Sequence, residues 1–311
     1  MTDPGIVAIR IVRGGTTFHV HGDQAGAEGV WLAAGQVDGI YDAPVKTTWK
    51  TGAFQEGSWQ KYNKWLHRDM SLGFHIRDTF TEYELNESLF RQIFDYQLDP
   101  WEDPPTLTTM EVETTLSGVR KLDLLLYEAP VFQSDLDPLT QQYGNLILKV
   151  RAGQPFWYQD DLVTSFTDTA ASSTGWVYAS NPTDCIAYQK WILTRGTWTL
   201  PDYQWVGGRG VRQPGGADGT RYVQNIIVSD TNGGAVVDTD RQNLMFRDAN
   251  NTNILGQLAG QFFLYTIPPY TPSTTLEVVY SAAPAGGAMV QLIVPQHWTR
   301  PWGMELAGGG S

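Results

Sequence analysis

Short β-rich runs separated by clusters of turn residues fill most of this 311-residue chain, and this pattern limits the folds open to it. From residue 156 onward no apolar stripe has helical spacing. Turns rich in Gly, Pro, Asn and Asp recur there, at residues 181–184, 214–219, 230–234 and 284–287. Many short strands joined by such turns are typical of β-sandwiches and jelly rolls. The second half is therefore predicted to be a β-sandwich.

The first half combines strands with a single helix. Residues 6–12 and 16–21 flank a glycine pair and predict a β-hairpin. Asn86 is the predicted N-cap of a helix over residues 87–98. Its apolar stripe consists of Leu89, Phe90, Ile93, Phe94 and Leu98. We expect this stripe to pack against a sheet.

The sequence Gly153-Gln154-Pro155 marks the predicted domain boundary. The fold class is therefore predicted as mainly β, with an N-terminal β-sandwich domain that carries one helix over residues 1–152. A second β-sandwich domain is predicted over residues 153–306. The glycine-rich residues 307–311 are predicted to form a flexible tail.

Charge and cysteine content exclude several classes of protein. The net charge is −12 with 17% charged residues, and no basic stripe is visible, which argues against specific binding of nucleic acid. Cys185 is the single cysteine, so no intrachain disulfide can form. The chain has no run of eighteen apolar residues and begins without a secretory signal. We expect a protein that matures in the cytoplasm and does not insert into membranes.

Two groups of histidine and acidic residues have spacings that metal sites use. His19 and His21 share one strand face with Asp23 close behind, a spacing that could supply zinc ligands. No further ligand is identifiable, so histidines on a half-exposed strand are the favoured interpretation. Asp248 begins a calcium-loop pattern, but its sixth position is Asn253 in place of Gly. An asparagine-rich turn is favoured there, and no metal or other cofactor is predicted.

Signals of catalysis are weak. Asp238 and Asp240 share a strand face and could act as paired acids in a glycosidase. Pairs of this kind are common in acidic proteins, and the Gly-x-Ser-x-Gly and phosphate-binding Gly-Lys-Ser/Thr motifs are absent. The chain is therefore predicted not to be an enzyme.

The closing motif Trp298-Thr299-Arg300-Pro301-Trp302-Gly303 combines two indoles with an arginine. Because a residue before proline is extended, Trp298, Arg300 and Trp302 should point to one side. Such a group forms either a structural clasp or an interaction surface. We predict a clasp, with both indoles packed around Arg300 on the second domain. On this interpretation Arg300→Ala lowers the melting temperature of that domain.

Other tryptophans crowd the second half and could serve a surface. Trp176, Trp191, Trp198 and Trp205 are the candidate glycan or subunit contacts, and Trp157 lies close before them. Burial in the sandwich core or in a subunit interface is the favoured interpretation, because large aromatic side chains dominate the energetics of both. Residues 207–219 are the most glycine-rich stretch and are predicted to form a mobile loop that contacts neighbouring proteins.

Several motifs taken together resemble the minor tail proteins of phages that infect actinobacteria. They lie at residues 181–184, 190–193, 198–203, 236–240, 263–272, 285–292 and 298–303. The first half matches more diffusely, through Trp31-Leu32 and the pattern that ends at Pro100-Trp101. Within that group the chain is most similar to the distal tail protein of long, flexible-tailed phages.

This resemblance implies a non-enzymatic structural protein in the virion, at the tip of a siphovirus tail. The N-terminal belt domain would form a ring, usually a hexamer, and the C-terminal domain would be a galectin-like β-sandwich. The implied partners are other copies of the chain, the tail tube protein and the tail-tip or baseplate hub proteins. DNA would pass through the lumen without specific binding, and assembly would occur in the host cytoplasm.

Two other functions remain open from the sequence. The first is a carbohydrate-binding module of the tail tip that recognises host cell-surface glycans through exposed tryptophans. The second is a cell-wall hydrolase that uses Asp238 and Asp240. Glycan binding and turnover of cell-wall polymers distinguish these two functions from a structural role.

Overall fold

The computed structural model describes residues 5–79, 81–133 and 136–306 and shows a mainly β protein, as predicted. The predicted tail at 307–311 lies outside the described residues. The chain divides into two compact units. The first unit comprises residues 1–158 together with 298–303, and the second comprises 159–297 and the residues from 304 onward. No helix of the described part is long and apolar enough to span a membrane.

Among the described residues, ten strands and two helices lie wholly in the first unit. They are β1 Ile6–Arg13, β2 Thr16–Gly22, β3 Val30–Asp38, β4 Val45–Lys50, β5 Trp59–Trp65, β6 Arg68–Arg77, α1 Tyr83–Gln92, β7 Thr108–Thr114, β8 Gly118–Leu126, β9 Val131–Phe132, α2 Pro138–Gln141 and β10 Tyr143–Ala152. The predicted hairpin is confirmed: β1 pairs antiparallel with β2 across Gly14 and Gly15, which both have positive φ.

Two layers enclose the core of the first unit. One has the order β2–β1–β7–β8, and the other has the order β3–β6–β10, with β8 also pairing with β10. Apolar side chains alternate along these strands, so that Ile11, Leu72 and Met110 are fully buried between the layers. The N-terminal half therefore folds as a β-sandwich.

Helix α1 begins and ends earlier than the predicted 87–98. Its N-cap is Glu82, and Asn86 lies within the helix, where its buried side chain donates to the carbonyl of Arg77 and ties the helix to the end of β6. The helix ends near Ile93, whose carbonyl accepts hydrogen bonds from Arg13 and Thr108. The Ile93 carbonyl is thus bonded to these side chains instead of to the amide of a further helical turn. Phe90 still packs on Phe18 and Phe74 as expected, whereas Leu89 and Leu98 are exposed.

The remaining described strands build the second unit, apart from the first two residues of β11 and the last residue of β21. They are β11 Trp157–Asp168, β12 Ser173–Asn181, β13 Lys190–Leu193, β14 Gly196–Pro201, β15 Trp205–Val206, β16 Gln213–Pro214, β17 Tyr222–Val228, β18 Ala235–Asp238, β19 Phe246–Asp248, a 3₁₀ turn Leu255–Leu258, β20 Thr271–Ser281 and β21 Ala288–Trp298. One sheet has the order β12–β20–β14–β17, and the facing strands run β19–β18–β13–β21–β11. Their inner faces share one apolar core, as a β-sandwich requires.

Candidate interaction surfaces

The C-terminal motif completes the core of the first unit. Trp298 is only 3% exposed and belongs to the same buried cluster as Ile11 and Leu72. The guanidinium of Arg120 lies 3.8 Å from the centroid of the Trp298 ring, within the range of a cation–π contact. The same guanidinium donates to the carbonyls of Arg300 (2.9 Å) and Gly303 (3.0 Å). Arg120 therefore binds the motif through both its indole and its backbone.

A second buried arginine holds the start of the motif. Arg68 donates to the carbonyls of Thr299 (3.0 Å), Ile40 (2.9 Å) and Pro155 (3.0 Å). Burial lowers the pKa of Arg68 to about 10, so the side chain stays charged at neutral pH. Backbone carbonyls satisfy this buried cation without a buried carboxylate. The amide of Ala43 also donates to the Thr299 carbonyl at 3.0 Å.

The rim of the motif is more exposed. Arg300 forms an ion pair with Asp42, and this hydrogen bonding lowers the pKa of the Asp42 carboxyl. Trp302 packs edge-to-face on Tyr41 with ring centroids 4.7 Å apart. The structure thus places Trp298, Arg300 and Trp302 in the first unit, where the sequence analysis expected them on the second. The guanidinium stacked on Trp298 is that of Arg120, which the sequence analysis did not single out.

The sequence does contain a signal for both buried arginines. Arg120 shares the strand face of Leu122, Leu124 and Leu126, all of which point into the core. Arg68 is likewise in phase with Met70, Leu72 and Phe74. A cation at a core-facing position needs acceptors nearby, so each arginine predicts a segment that supplies carbonyl oxygens. Which segment supplies them is not encoded locally.

The tryptophans of the second unit fall into two groups. Trp191 and Trp198 are 1% and 0% exposed and lie in the core, which leaves no indole face for a glycan or another subunit. Trp205 is partly buried against the same core. Trp176 is 55% exposed on the outer face of the four-stranded sheet. Of the four predicted contact residues, Trp176 therefore has the most accessible ring.

A carboxylate and a tyrosine hydroxyl lie near Trp176 on that face. Glu277 lies directly opposite Trp176 in the β12–β20 register. Its carboxylate accepts a hydrogen bond from the Tyr222 hydroxyl at 3.1 Å, and Tyr222 packs edge-to-face on Tyr203. Burial and the neighbouring Glu277 raise the pKa of Tyr222. This row combines an open indole with a carboxylate and a phenol.

Residues 207–219, predicted to be a mobile loop, are tied to the body of the second unit. The amide of Gly210 donates to the carbonyl of Tyr270 at 2.8 Å, and Arg209 lies over the Tyr270 ring. Arg212 donates to the carbonyl of Pro269. Gly207, Gly210 and Gly216 have positive φ, a backbone conformation that glycine adopts without a steric penalty.

The candidate acids of the second unit have structural partners. Asp238 is buried and accepts hydrogen bonds from the amide of Asp240 (2.9 Å) and the side chain of Asn243 (3.0 Å), with Lys190 at 3.4 Å. Asp248 accepts hydrogen bonds from the amides of Thr252 (2.8 Å) and Asn250 (2.9 Å), and these bonds lower the pKa of its carboxyl. Both carboxylates are engaged in holding turns.

The histidine candidates lie on β2. His19 Nδ1 lies 2.8 Å from the carboxylate of Glu28, which lies between β2 and β3 and was not part of the zinc interpretation. Among the described residues no group of three or more His, Cys, Asp or Glu side chains could hold a metal ion.

A hairpin of β4 and β5 is the most exposed regular element of the first unit. The two strands pair only with each other, and twelve of their thirteen residues are exposed. Exposed aromatic residues along it and its tip are Trp49, Phe54, Trp59, Tyr62 and Trp65. Trp65, at the base, contacts Phe156 with ring centroids 5.4 Å apart. No expectation from the sequence identified this surface.

Two named mycobacteriophage proteins are similar to this chain over most of its length. The chain is 25% identical to minor tail protein Gp27 of Mycobacterium phage D29 over 327 residues, covering 90% of this chain and 94% of the relative. The same identity and coverage apply to minor tail protein Gp27 of Mycobacterium phage L5. No family model matches the chain. The predicted resemblance to minor tail proteins of actinobacterial phages is confirmed.

A solved structure shares the fold. The Dit protein of phage SPP1, described as a paradigm of the hub adsorption apparatus in phages infecting Gram-positive bacteria, superimposes with a TM-score of 0.52 at 11% identity. The match covers 92% of this chain and 98% of the SPP1 protein. The mainly β fold predicted from the sequence is thus confirmed, and the SPP1 Dit protein shares it.

Proposed function

We propose that this chain is a structural protein of a phage tail that forms a ring at the distal end of the tail tube. In this role it connects the tube to tail-tip or baseplate proteins and catalyses no reaction. The naming of the mycobacteriophage relatives supports a place in the virion tail. The fold shared with the SPP1 Dit protein supports a hub-like architecture.

The exposed β4–β5 hairpin is the observation that carries the ring. An isolated two-stranded hairpin is marginally stable in water, and this one exposes large aromatic side chains along its length. Large exposed apolar surfaces mark sites of protein association. In this proposal the hairpin of one copy contacts a different surface of the next copy, and such head-to-tail contacts close into rings when the rotation fits.

The first unit forms the ring in this proposal, and the second, galectin-like unit contacts proteins or surfaces outside it. The resemblance to distal tail proteins favours six copies. The acidic net charge suits a conduit, because a negatively charged wall repels passing DNA. Assembly takes place in the host cytoplasm before the virion is complete.

Particle mass tests this proposal. The purified full-length chain is measured by mass photometry over increasing concentration, and assembled particles are imaged by negative-stain electron microscopy. We expect closed rings, six copies each, with a central opening. A chain that remains monomeric at all concentrations, and that is distributed along the tail rather than at its tip in labelled virions, contradicts the proposal.

The row around Trp176 favours a second function, recognition of host cell-surface glycans. An exposed indole offers an apolar platform, and the adjacent Glu277 carboxylate and Tyr222 hydroxyl can bind sugar hydroxyls. This module would act at the tail tip in addition to the structural role.

Glycan binding tests the second function. Full-length protein is applied to cell-wall glycans of the host, and Trp176→Ala is compared with Ile227→Ala, which also removes an exposed apolar side chain from the second unit. Loss of binding in Trp176→Ala alone supports the function. Equal binding by both variants, or none by the natural sequence, rejects it.

A further inference from the structure

The β4–β5 hairpin has one face that is basic. In its register Lys46 lies directly opposite Lys64, and Lys50 lies opposite Trp59 with its ammonium 5.9 Å from the indole centroid. Tyr62 belongs to the same face. Side chains that are paired across two strands share a face, as do alternate residues of one strand. We call these five residues the basic face.

The positive charges of the basic face lack a counterpart on the hairpin. Two lysines directly opposite each other on a sheet destabilise it. The ion pairs formed among the described residues do not include Lys46, Lys50 or Lys64. Residues 45–65 carry four lysines and one glutamate, a net charge of +3 in a chain whose total is −12. Such a surface is complementary to an acidic, partly apolar partner.

The first unit presents a surface of that kind elsewhere. Residues 96–103, which follow α1, expose Tyr96, Leu98 and Trp101, and Trp101 is 90% exposed, more than any other tryptophan of the chain. The same segment carries three carboxylates, of Asp99, Glu102 and Asp103, and no basic residue, so its net charge is −3. We call residues 96–103 the acidic segment.

The acidic segment is held in shape while its carboxylates stay open to solvent. The Asp99 carboxylate accepts the amide of Trp101 at 2.9 Å, and the Glu102 carboxylate accepts the amide of Thr106 at 2.8 Å. These backbone bonds fix the turn that presents the Trp101 indole. A preformed surface loses less conformational entropy on binding than a disordered one.

We propose that the basic face of one copy docks on the acidic segment of a second copy of this chain. The inference rests on the proposed ring and names the two surfaces that meet in it. Equal and opposite charges, with aromatic residues on both sides, provide complementarity and an apolar centre. Every copy carries both surfaces, so each molecule can bind one neighbour through its hairpin and another through its acidic segment. This is the head-to-tail arrangement that a ring needs.

Charge reversal tests the docking. The variant Lys46→Glu/Lys64→Glu and the variant Glu102→Lys/Asp103→Lys should each weaken self-association by about 100-fold in sedimentation experiments at low salt. A chain that carries all four substitutions should recover association, because the charges match again. The control Thr47→Glu/Asn63→Glu places two acids on the opposite face of the same hairpin and should associate as the natural sequence does. Thermal melting verifies that each variant is folded.

Cross-linking separates the docking from the ring. Chains with Lys64→Cys are mixed with chains with Asp103→Cys and treated with a short bismaleimide, since the single natural cysteine, Cys185, is buried. We expect mixed dimers, and none when either variant is treated alone.

The outcomes distinguish the two proposals. Cross-links and charge effects without closed rings uphold the docking and reject the ring. Closed rings that form despite both charge reversals, with no cross-link, overturn the docking and leave the ring standing. Neither association nor cross-links in any mixture rejects both.

Discussion

Two tryptophan-rich segments of the first unit differ in what surrounds their indole rings. The C-terminal motif at 298–303 buries Trp298 beneath the guanidinium of Arg120, whose Nη1 donates to the backbone carbonyls of Arg300 and Gly303. The β4–β5 hairpin leaves Trp49 and Trp59 in solvent beside lysines. Arginine satisfies several acceptors at once with a planar, weakly hydrated group, whereas lysine keeps its hydration. Aromatic residues with arginine thus stabilise the fold here, and those with lysine remain available for a partner.

The largest effect expected from this comparison is on folding. Trp298→Ala removes a fully packed indole and should lower the free energy of unfolding of the first unit by about 3–5 kcal/mol. Trp49→Ala, on the exposed hairpin, should change it by less than about 0.5 kcal/mol. Urea unfolding followed by circular dichroism measures both. Similar values for the two variants would remove the distinction between the segments.

A smaller effect concerns the cation itself. Arg120→Lys keeps the charge but cannot bind two carbonyls and the indole face with one planar group, so we expect a loss of about 2–3 kcal/mol in the free energy of unfolding. Lys64→Arg on the hairpin is the matched exchange and should leave unfolding unchanged. An Arg120→Lys variant as stable as the natural sequence would show that charge alone suffices.

The smallest effect is expected at the rim. Arg300→Ala breaks an exposed ion pair with Asp42 and should cost at most about 1 kcal/mol, in the first unit rather than the second. Because Arg300 lowers the pKa of Asp42 in the folded state, the pair stabilises the fold above the ordinary aspartate pKa of about 3.9 and loses this contribution as the pH falls through the lowered value. The melting temperatures of the two proteins should therefore differ at pH 7 and converge in acid, where the Asp42 carboxyl is protonated in both. A difference that persists in acid contradicts this account.

The sequence predicted local secondary structure better than it predicted contacts between residues that are far apart in the chain. Turn residues and alternation located the β1–β2 hairpin and the all-β second half, since both signals arise between residues close in the chain. The bounds of helix α1 differ from the prediction because Asn86 and Ile93 bind residues outside the helix, and the Ile93 carbonyl accepts from an arginine 80 residues earlier. No local pattern contains such information.

The candidate surfaces show the same limit. The four tryptophans of the second half were indistinguishable by composition, although Trp198 alternates with partly exposed threonines and faces the core while Trp176 faces outward. The destination of the closing motif depended on Arg68 and Arg120, which lie more than 170 residues earlier, as the separations of 231 and 180 residues in their hydrogen bonds show.

The return of residues 298–303 to the first unit has a consequence for biosynthesis. A ribosome that has released residues 1–158 has delivered both arginines but none of the carbonyls of Thr299, Arg300 and Gly303 that accept their hydrogen bonds. The first unit therefore cannot reach its final packing during translation until almost the whole chain has been made. A product truncated before Trp298 keeps every strand of that unit yet lacks the last part of its core. The order of synthesis thus reserves a fully packed first unit for chains that also contain the second.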